Sequence, residues 1–189
     1  MSTAMHEWPR RHRITVEHFY RMAEAGLFDE KDRVELVNGE IIDVLPMGSR
    51  HAGTLYRLAS MLSTALTTRA VVRQQLPLRL SEDSEPLPDI AVVKPRADDY
   101  TTGHPTAADA WLVVEISQST LRYDRDVKTA LYAAFAVPEV WVIDLPANQV
   151  HVYRSPLNAG YAVTDTLELG PLAVPSLQGA VVDLTPLRT

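Results

Sequence analysis

Two acids and one base in this chain sit where their chemistry needs explaining. Asp89 follows Pro88 and opens the apolar run Ile90–Val93. Glu115 interrupts a second apolar run, Trp111 to Ile116, just before its end, and Lys128 lies on the helical segment that follows. An ionised carboxylate buried without a partner costs several kcal/mol or becomes protonated, so a cation is expected near Glu115. Two carboxylates converging on one point repel unless a cation lies between them. Mg²⁺ suits such a place, with Mn²⁺ as its substitute, because it is hard and is held by one or two carboxylates, waters and substrate phosphate. A lysine beside it can orient or deprotonate a water and stabilise charge on a phosphate. The reaction class implied is metal-assisted hydrolysis of a phosphodiester.

The stretch Trp111 to Asp144 must position these groups. An apolar run, a helix and a second apolar run, Val140 to Asp144, make a β-α-β unit with parallel strands. Stepping ~100° per residue from Val127 puts Ala130, Leu131, Ala134 and Phe135 in one apolar arc. Asp124 and Lys128 fall in or at the edge of that arc, with Tyr132 at its border beside Lys128; Arg125, Thr129 and Ala133 lie opposite. Both charges then point toward the sheet. The plain alternative is a local i, i+4 Asp124–Lys128 pair on the surface, worth only ~0.3–0.5 kcal/mol.

Elsewhere the pattern is regular. Residues 1–13 form a loose arm, in which His6 and His12, with His18 beyond it, are too evenly spread for a metal site; residues 14–189 form a single domain. Thr15 caps a short helix through about Ala25. Asn38-Gly39 between two β-rich runs marks a hairpin, and Glu35 on it is either an exposed strand carboxylate or an inward acid. Ser49 caps a long helix from about Arg50 to Thr68, buried through Leu55, Leu58, Ala59, Leu62 and Leu66. His51, in its first turn, is either a surface residue or within reach of a nearby site. Ala70 to Leu80 alternates as a strand with one polar face, which Pro77 marks as an edge or bulge. Lys94 to Asp109 is a loop. Gln149–Arg154 and Tyr161–Thr166 form a hairpin, and the tail packs back through Val181, Val182 and Leu184.

Composition narrows the classes. At 189 residues and 46% hydrophobic content the chain can bury a sizeable core. It has no cysteine, hence no disulfide framework and no thiolate metal site, which fits a reducing cytoplasm. No apolar leader and no run near the ~18 residues of a membrane span is present. A net charge of −6 argues against a surface basic all over, although a local basic groove is compatible with it. The P-loop, dinucleotide-binding and nucleophile-elbow motifs are all missing.

Pro88-Asp89, Glu115-Ile116-Ser117, Asp124-x-x-x-Lys128-x-x-x-Tyr132 and Val137-Pro138-Glu139-Val140-Trp141-Val142-Ile143-Asp144, in that order, resemble the PD-(D/E)XK nuclease superfamily. More narrowly the chain is similar to its bacterial branch labelled putative restriction endonuclease, from about Thr15 to Leu184. The resemblance implies an α/β restriction-endonuclease-like fold: a mixed central sheet flanked by helices, with an N-terminal helix and β-hairpin. It implies a Mg²⁺-dependent DNA endonuclease in which Asp89 and Glu115 bind the metal, with the carbonyl of Ile116 as a further ligand. Glu35 would face the same site from the hairpin, and His51, Ser117, Asp124 and Tyr132 would support it. The superfamily's usual lysine, two residues after the glutamate, is Ser117 here; the branch also has serine there, and Lys128 matches its displaced lysine. Gln118 and Ala136 depart from the branch's proline and glycine. Cutting both strands of a duplex further implies a two-fold homodimer. Two other classes stay open: a non-catalytic nucleic-acid- or partner-binding domain on the same fold, and a small-substrate metallohydrolase.

Overall fold

The computed structural model describes residues 11–29, 31–158 and 160–188, so most of the arm expected over 1–13, His6 included, lies outside the described residues. Its centre is a six-stranded mixed sheet. In chain order the elements are α1 (Val16–Glu24), the hairpin β1 (Val34–Val37) and β2 (Glu40–Asp43), α2 (Ser49–Leu66), β3 (Val71–Gln74), β4 (Ile90–Val93) and β5 (Ala110–Ser117). A helical segment follows as α3 (Leu121–Tyr123), a π-helical turn (Asp124–Lys128) and α4 (Thr129–Ala134). Then come β6 (Glu139–Asp144), β7 (Gln149–Leu157), β8 (Gly160–Glu168), β9 (Pro171–Val174) and β10 (Ala180–Asp183). The sheet order is β3-β4-β5-β6-β7-β8. Only β5 and β6 are parallel, and the helical segment is their crossover.

Both faces of the sheet are covered. On one, Leu55, Leu58, Ala59, Leu62 and Leu66 of α2 bury against Ile90, Val92, Leu112, Val114, Trp141 and Ile143, with Val182 and Leu184 of the tail closing the same core. Val181, expected to join them, points outward: β10 pairs with β9 as a two-stranded ribbon, and alternation buries Val182 instead. On the other face α4 packs Tyr132 with Val137, Val140 and Val142. A full-length Leu or Val side chain buried in this way contributes roughly 1.5–3 kcal/mol, so these two clusters hold the sheet's acids in fixed places.

Three local readings need revision. The N-cap of α2 is Gly48, and Ser49 is the first helical residue, without a side-chain cap bond. The strand expected to Leu80 stops at Gln74 because Gln75 turns left-handed, with φ of 51°. The helix phase also slips. Thr129 N–H donates to the carbonyl of Asp124, five residues back. One extra residue per turn delays all later positions by roughly 100°. Thr129 and Ala133 are therefore buried, while Val127 and Ala134 are exposed. Asp124 and Lys128 stay inward in spite of the slip.

Candidate active site

Four acidic or basic side chains from four segments meet at one end of the sheet. Glu35, Asp89, Glu115 and Lys128 are each at most 9% exposed. Glu35 arrives on the hairpin, whose turn residues Asn38 and Gly39 both take positive φ, as the tight two-residue turn requires. The hairpin is held by a bridge between Leu36 and Glu85 and by the Asn38 N–H bond to Ser84 Oγ. Leu87 N–H then donates to Glu35 Oε2 at 2.9 Å, fixing the carboxylate inward. Of the two readings left open for Glu35, the inward acid is the observed one.

The Lys128 ammonium lies 3.2 Å from Glu35 Oε2 and 3.3 Å from Glu115 Oε1. Lys128 is therefore the cation that Glu115 required. Its partner is not Asp124, whose Oδ2 accepts the hydroxyls of Ser117 at 2.5 Å and Thr120 at 2.6 Å. That excludes the surface i, i+4 pair. Tyr132 donates its hydroxyl to Glu115 Oε1 at 2.6 Å. Asp89 is held at both oxygens: Ile116 N–H reaches Oδ2 at 2.8 Å, and Gln75 Nε2 reaches Oδ1 at 3.1 Å. His51 Nε2 is 3.0 Å from the same Oδ1, so this histidine does extend to the site.

The electrostatics follow from burial and these contacts. Burial alone would raise the Asp89 carboxyl, but the His51 and Gln75 bonds and the Ile116 N–H outweigh it and hold the group below its ordinary range. Burial pushes Glu115 up to about 8, with the Asp89 charge adding to the rise and the Lys128 charge opposing it. Burial also works against the Lys128 ammonium, yet Glu115 and Glu35 more than offset it, so its affinity for the proton rises above the ordinary lysine value. Tyr132 is driven well above its usual range by burial and by Glu115, and stays a hydroxyl donor.

Glu35, Asp89, Glu115, Lys128, His51 and Gln75 line a cleft of about 660 Å³, with Tyr132 buried behind it. Gln118, Thr120, Tyr123 and the mainly apolar stretch Val44 to Met47 line it as well. Gln75, Arg33 and Tyr123 line the cleft without having been singled out in the sequence. Gln75 carries no local signal, because its aim depends on the left-handed turn that ends β3. Arg33 is drawn in by its bond to Gln75 Oε1 at 3.1 Å. Tyr123 could have been picked up from its place one residue before the inward Asp124.

A family model described as Uma2, putative restriction endonuclease, matches residues 16–185. The chain belongs to the Uma2 family. Among solved structures, the Uma2 chain is similar to the crystal structure of a putative nuclease belonging to DUF820 from Anabaena variabilis ATCC 29413. That likeness has a TM-score of 0.68 at 20% identity and covers 92% of this chain and 97% of the other, which shows a common fold. No curated protein matches the chain. Family and fold agree with the PD-(D/E)XK restriction-endonuclease-like resemblance read from the sequence, and Uma2 membership supports nuclease function in general terms. Among the described residues no helix is long and apolar enough to cross a membrane.

Proposed function

We propose that this Uma2 protein is a divalent-metal-dependent DNA endonuclease acting at Asp89, Glu115 and Lys128. One observation carries the reading: a lysine ammonium buried between two carboxylates, with a third acid beside them, on the floor of an open cleft. Burying such a set costs several kcal/mol per ion before pairing returns part of it, which a passive binding module would have no reason to maintain.

The oxygen-rich donor set fits Mg²⁺ or Mn²⁺. Among the described residues no three His, Cys, Asp or Glu side chains close around one point, so backbone, water and substrate oxygens would complete the shell, as is usual for Mg²⁺. Asp89 and Glu115 would hold the ion with the carbonyl of Ile116. Ile116 N–H points at Asp89, and in a strand the carbonyl of a residue faces the same edge as its N–H. The ion would supply Lewis-acid neutralisation of phosphate charge. Lys128, which keeps its proton, stabilises negative charge developing on the phosphate and does not act as the base. Glu35 holds the Lys128 ammonium in place; Tyr132 fixes the Glu115 carboxylate, and Gln75 fixes that of Asp89. Asp124, tied to Ser117 and Thr120, anchors the π turn that presents Lys128. Cleavage of both strands of a duplex would use a two-fold homodimer, which sedimentation can check.

The direct test is cleavage of plasmid and linear DNA with Mg²⁺ or Mn²⁺, comparing wild type with Asp89→Ala. Metal-dependent cleavage by wild type and none by the variant is expected. Equal activity of the two would refute the assignment.

A further inference from the structure

We infer that Arg33 is a phosphate-binding residue of the cleft, its guanidinium gripping the DNA backbone within one nucleotide step of the acids. The inference rests on the nuclease reading above and adds a substrate contact that the acid site does not supply. Arg33 stands at the base of the hairpin, just before β1, where its carbonyl accepts Val44 N–H at 2.7 Å. Three cationic or basic side chains line the cleft: Arg33, His51 and Lys128. Lys128 is taken up between Glu35 and Glu115, and His51 lies against Asp89. Of the three, Arg33 alone has no carboxylate partner among the described residues; its side chain bonds only to the amide of Gln75.

A guanidinium carries a rigid fork of N–H donors, and the fold uses one nitrogen of this fork, Nη2, which donates to Gln75 Oε1 at 3.1 Å. None of the other Arg33 nitrogens is buried without a bond, so the rest of the fork stays open to a ligand. Such a fork matches two oxygens of one phosphate at once. The surroundings call for a cation of this kind. Glu35, Asp43, Asp89, Glu115 and Asp124 line the same cleft. A polyanionic strand laid along those acids is repelled wherever no positive charge offsets it. Lys128 is already committed to two carboxylates, and Arg33 is not.

Gln75 fixes how far Arg33 stands from the acids. Its Oε1 accepts from Arg33, and its Nε2 donates to Asp89 Oδ1 at 3.1 Å. Two hydrogen bonds and the width of one amide put Arg33 Nη2 at most about 8–9 Å from that carboxylate, no farther than roughly one nucleotide step along a strand. A phosphate on Arg33 is therefore the one at the acids or its neighbour. The plain role for Arg33 is to orient Gln75, since donation to Oε1 aims Nε2 at Asp89. That role needs a single donor and no charge, and it leaves the open part of the fork without a purpose.

The test measures binding of a short fluorescein-labelled DNA duplex over a series of salt concentrations, on the full chain as wild type, Arg33→Gln and Arg33→Lys. Ca²⁺ replaces Mg²⁺, so that binding is read apart from cleavage. Calorimetric Mn²⁺ titration of the same proteins without DNA reports on the Asp89 site, and thermal unfolding checks the fold. Arg33→Gln should bind DNA about 10- to 100-fold more weakly. Its slope of log affinity against log salt should fall by about one, with Mn²⁺ affinity little changed. Arg33→Lys keeps the charge and loses the fork, so it should keep the slope and bind DNA with intermediate strength. An unchanged salt slope in Arg33→Gln, or a loss of DNA binding matched by an equal loss of Mn²⁺ affinity, overturns the role of Arg33 and leaves the nuclease reading standing. Should Arg33→Gln lose the fold, Arg33→Lys decides alone, and DNA affinity equal to wild type overturns the proposal. Failure of wild type to bind DNA with any divalent ion overturns both.

Discussion

Replacing Lys128 by Met tests the centre of the site, because the side chain keeps its length and loses its charge. Lys128 is 7% exposed, with Glu35 and Glu115 at 2% and 3% on either side of it. Removing one member of a buried ion pair typically costs ~3–5 kcal/mol, since the remaining charge is left uncompensated. The two carboxylates have an escape: they can take up protons. Burial already pushes Glu115 up to about 8, well above the ordinary glutamate range, and losing the Lys128 charge must push it higher. A carboxyl raised in the folded state binds more protons there than in the unfolded chain between those two values, so stability falls as pH rises through that window. The destabilisation of Lys128→Met should therefore approach its full ~3–5 kcal/mol near pH 8–9 and shrink toward pH 5. A divalent cation should return part of it, about 2.7 kcal/mol at a hundredfold excess over its dissociation constant. Urea unfolding at several pH values, with and without Mg²⁺, measures both effects. Cleavage should drop by ~10²–10⁴, while Lys128→Arg, which keeps the charge, should retain part of the activity. A loss below ~1 kcal/mol that does not vary with pH would place Lys128 among ordinary surface pairs and refute the reasoning.

Two further outcomes are expected. Because Glu115, even beside Lys128, holds its proton up to about 8 when no metal ion is bound, metal binding must expel that proton; affinity should climb by up to about tenfold per pH unit and level off above pH 8. Calorimetry in buffers of different ionisation heat would detect the released proton, and an affinity flat from pH 6 to 8 would contradict the link. Gly39→Ala would place a Cβ 2.6 Å from Arg13 Cβ at a backbone φ of +74°, straining the hairpin that carries Glu35. A loss of about 1–3 kcal/mol in thermal unfolding, with cleavage reduced as well, is the expected result, and an unperturbed melting curve would argue against it.

How far the site could be read in advance depended on the kind of signal each residue carries. Asp89 and Glu115 were visible because a charge set in an apolar strand contradicts the strand's own pattern, and the hairpin was visible because Asn38-Gly39 meets a backbone demand that few other pairs can. The buried stripe of α2 repeats at the helical period, so it too was legible. Lys128 was placed inward from a regular helix phase, although the helix is not regular there. The π turn moved Thr129 and Ala133 into the core and Val127 out of it, yet left Asp124 and Lys128 facing the sheet.

Glu35, His51 and Gln75 belong to the other kind. Nothing within a few residues of Glu35 distinguishes an inward strand acid from an outward one; the distinction comes from Leu87 N–H and Lys128, 52 and 93 positions away along the chain. His51 on a first helical turn is ordinary until α2 docks and brings it to Asp89. Gln75 reaches the same carboxylate only because the chain leaves β3 through a left-handed turn. Periodicity reports which face of one element avoids water. A site assembled from a hairpin, two strands, a helix start and a π turn is decided by where those elements pack against one another, and that balance of burial, pairing and backbone geometry exists only in the folded chain.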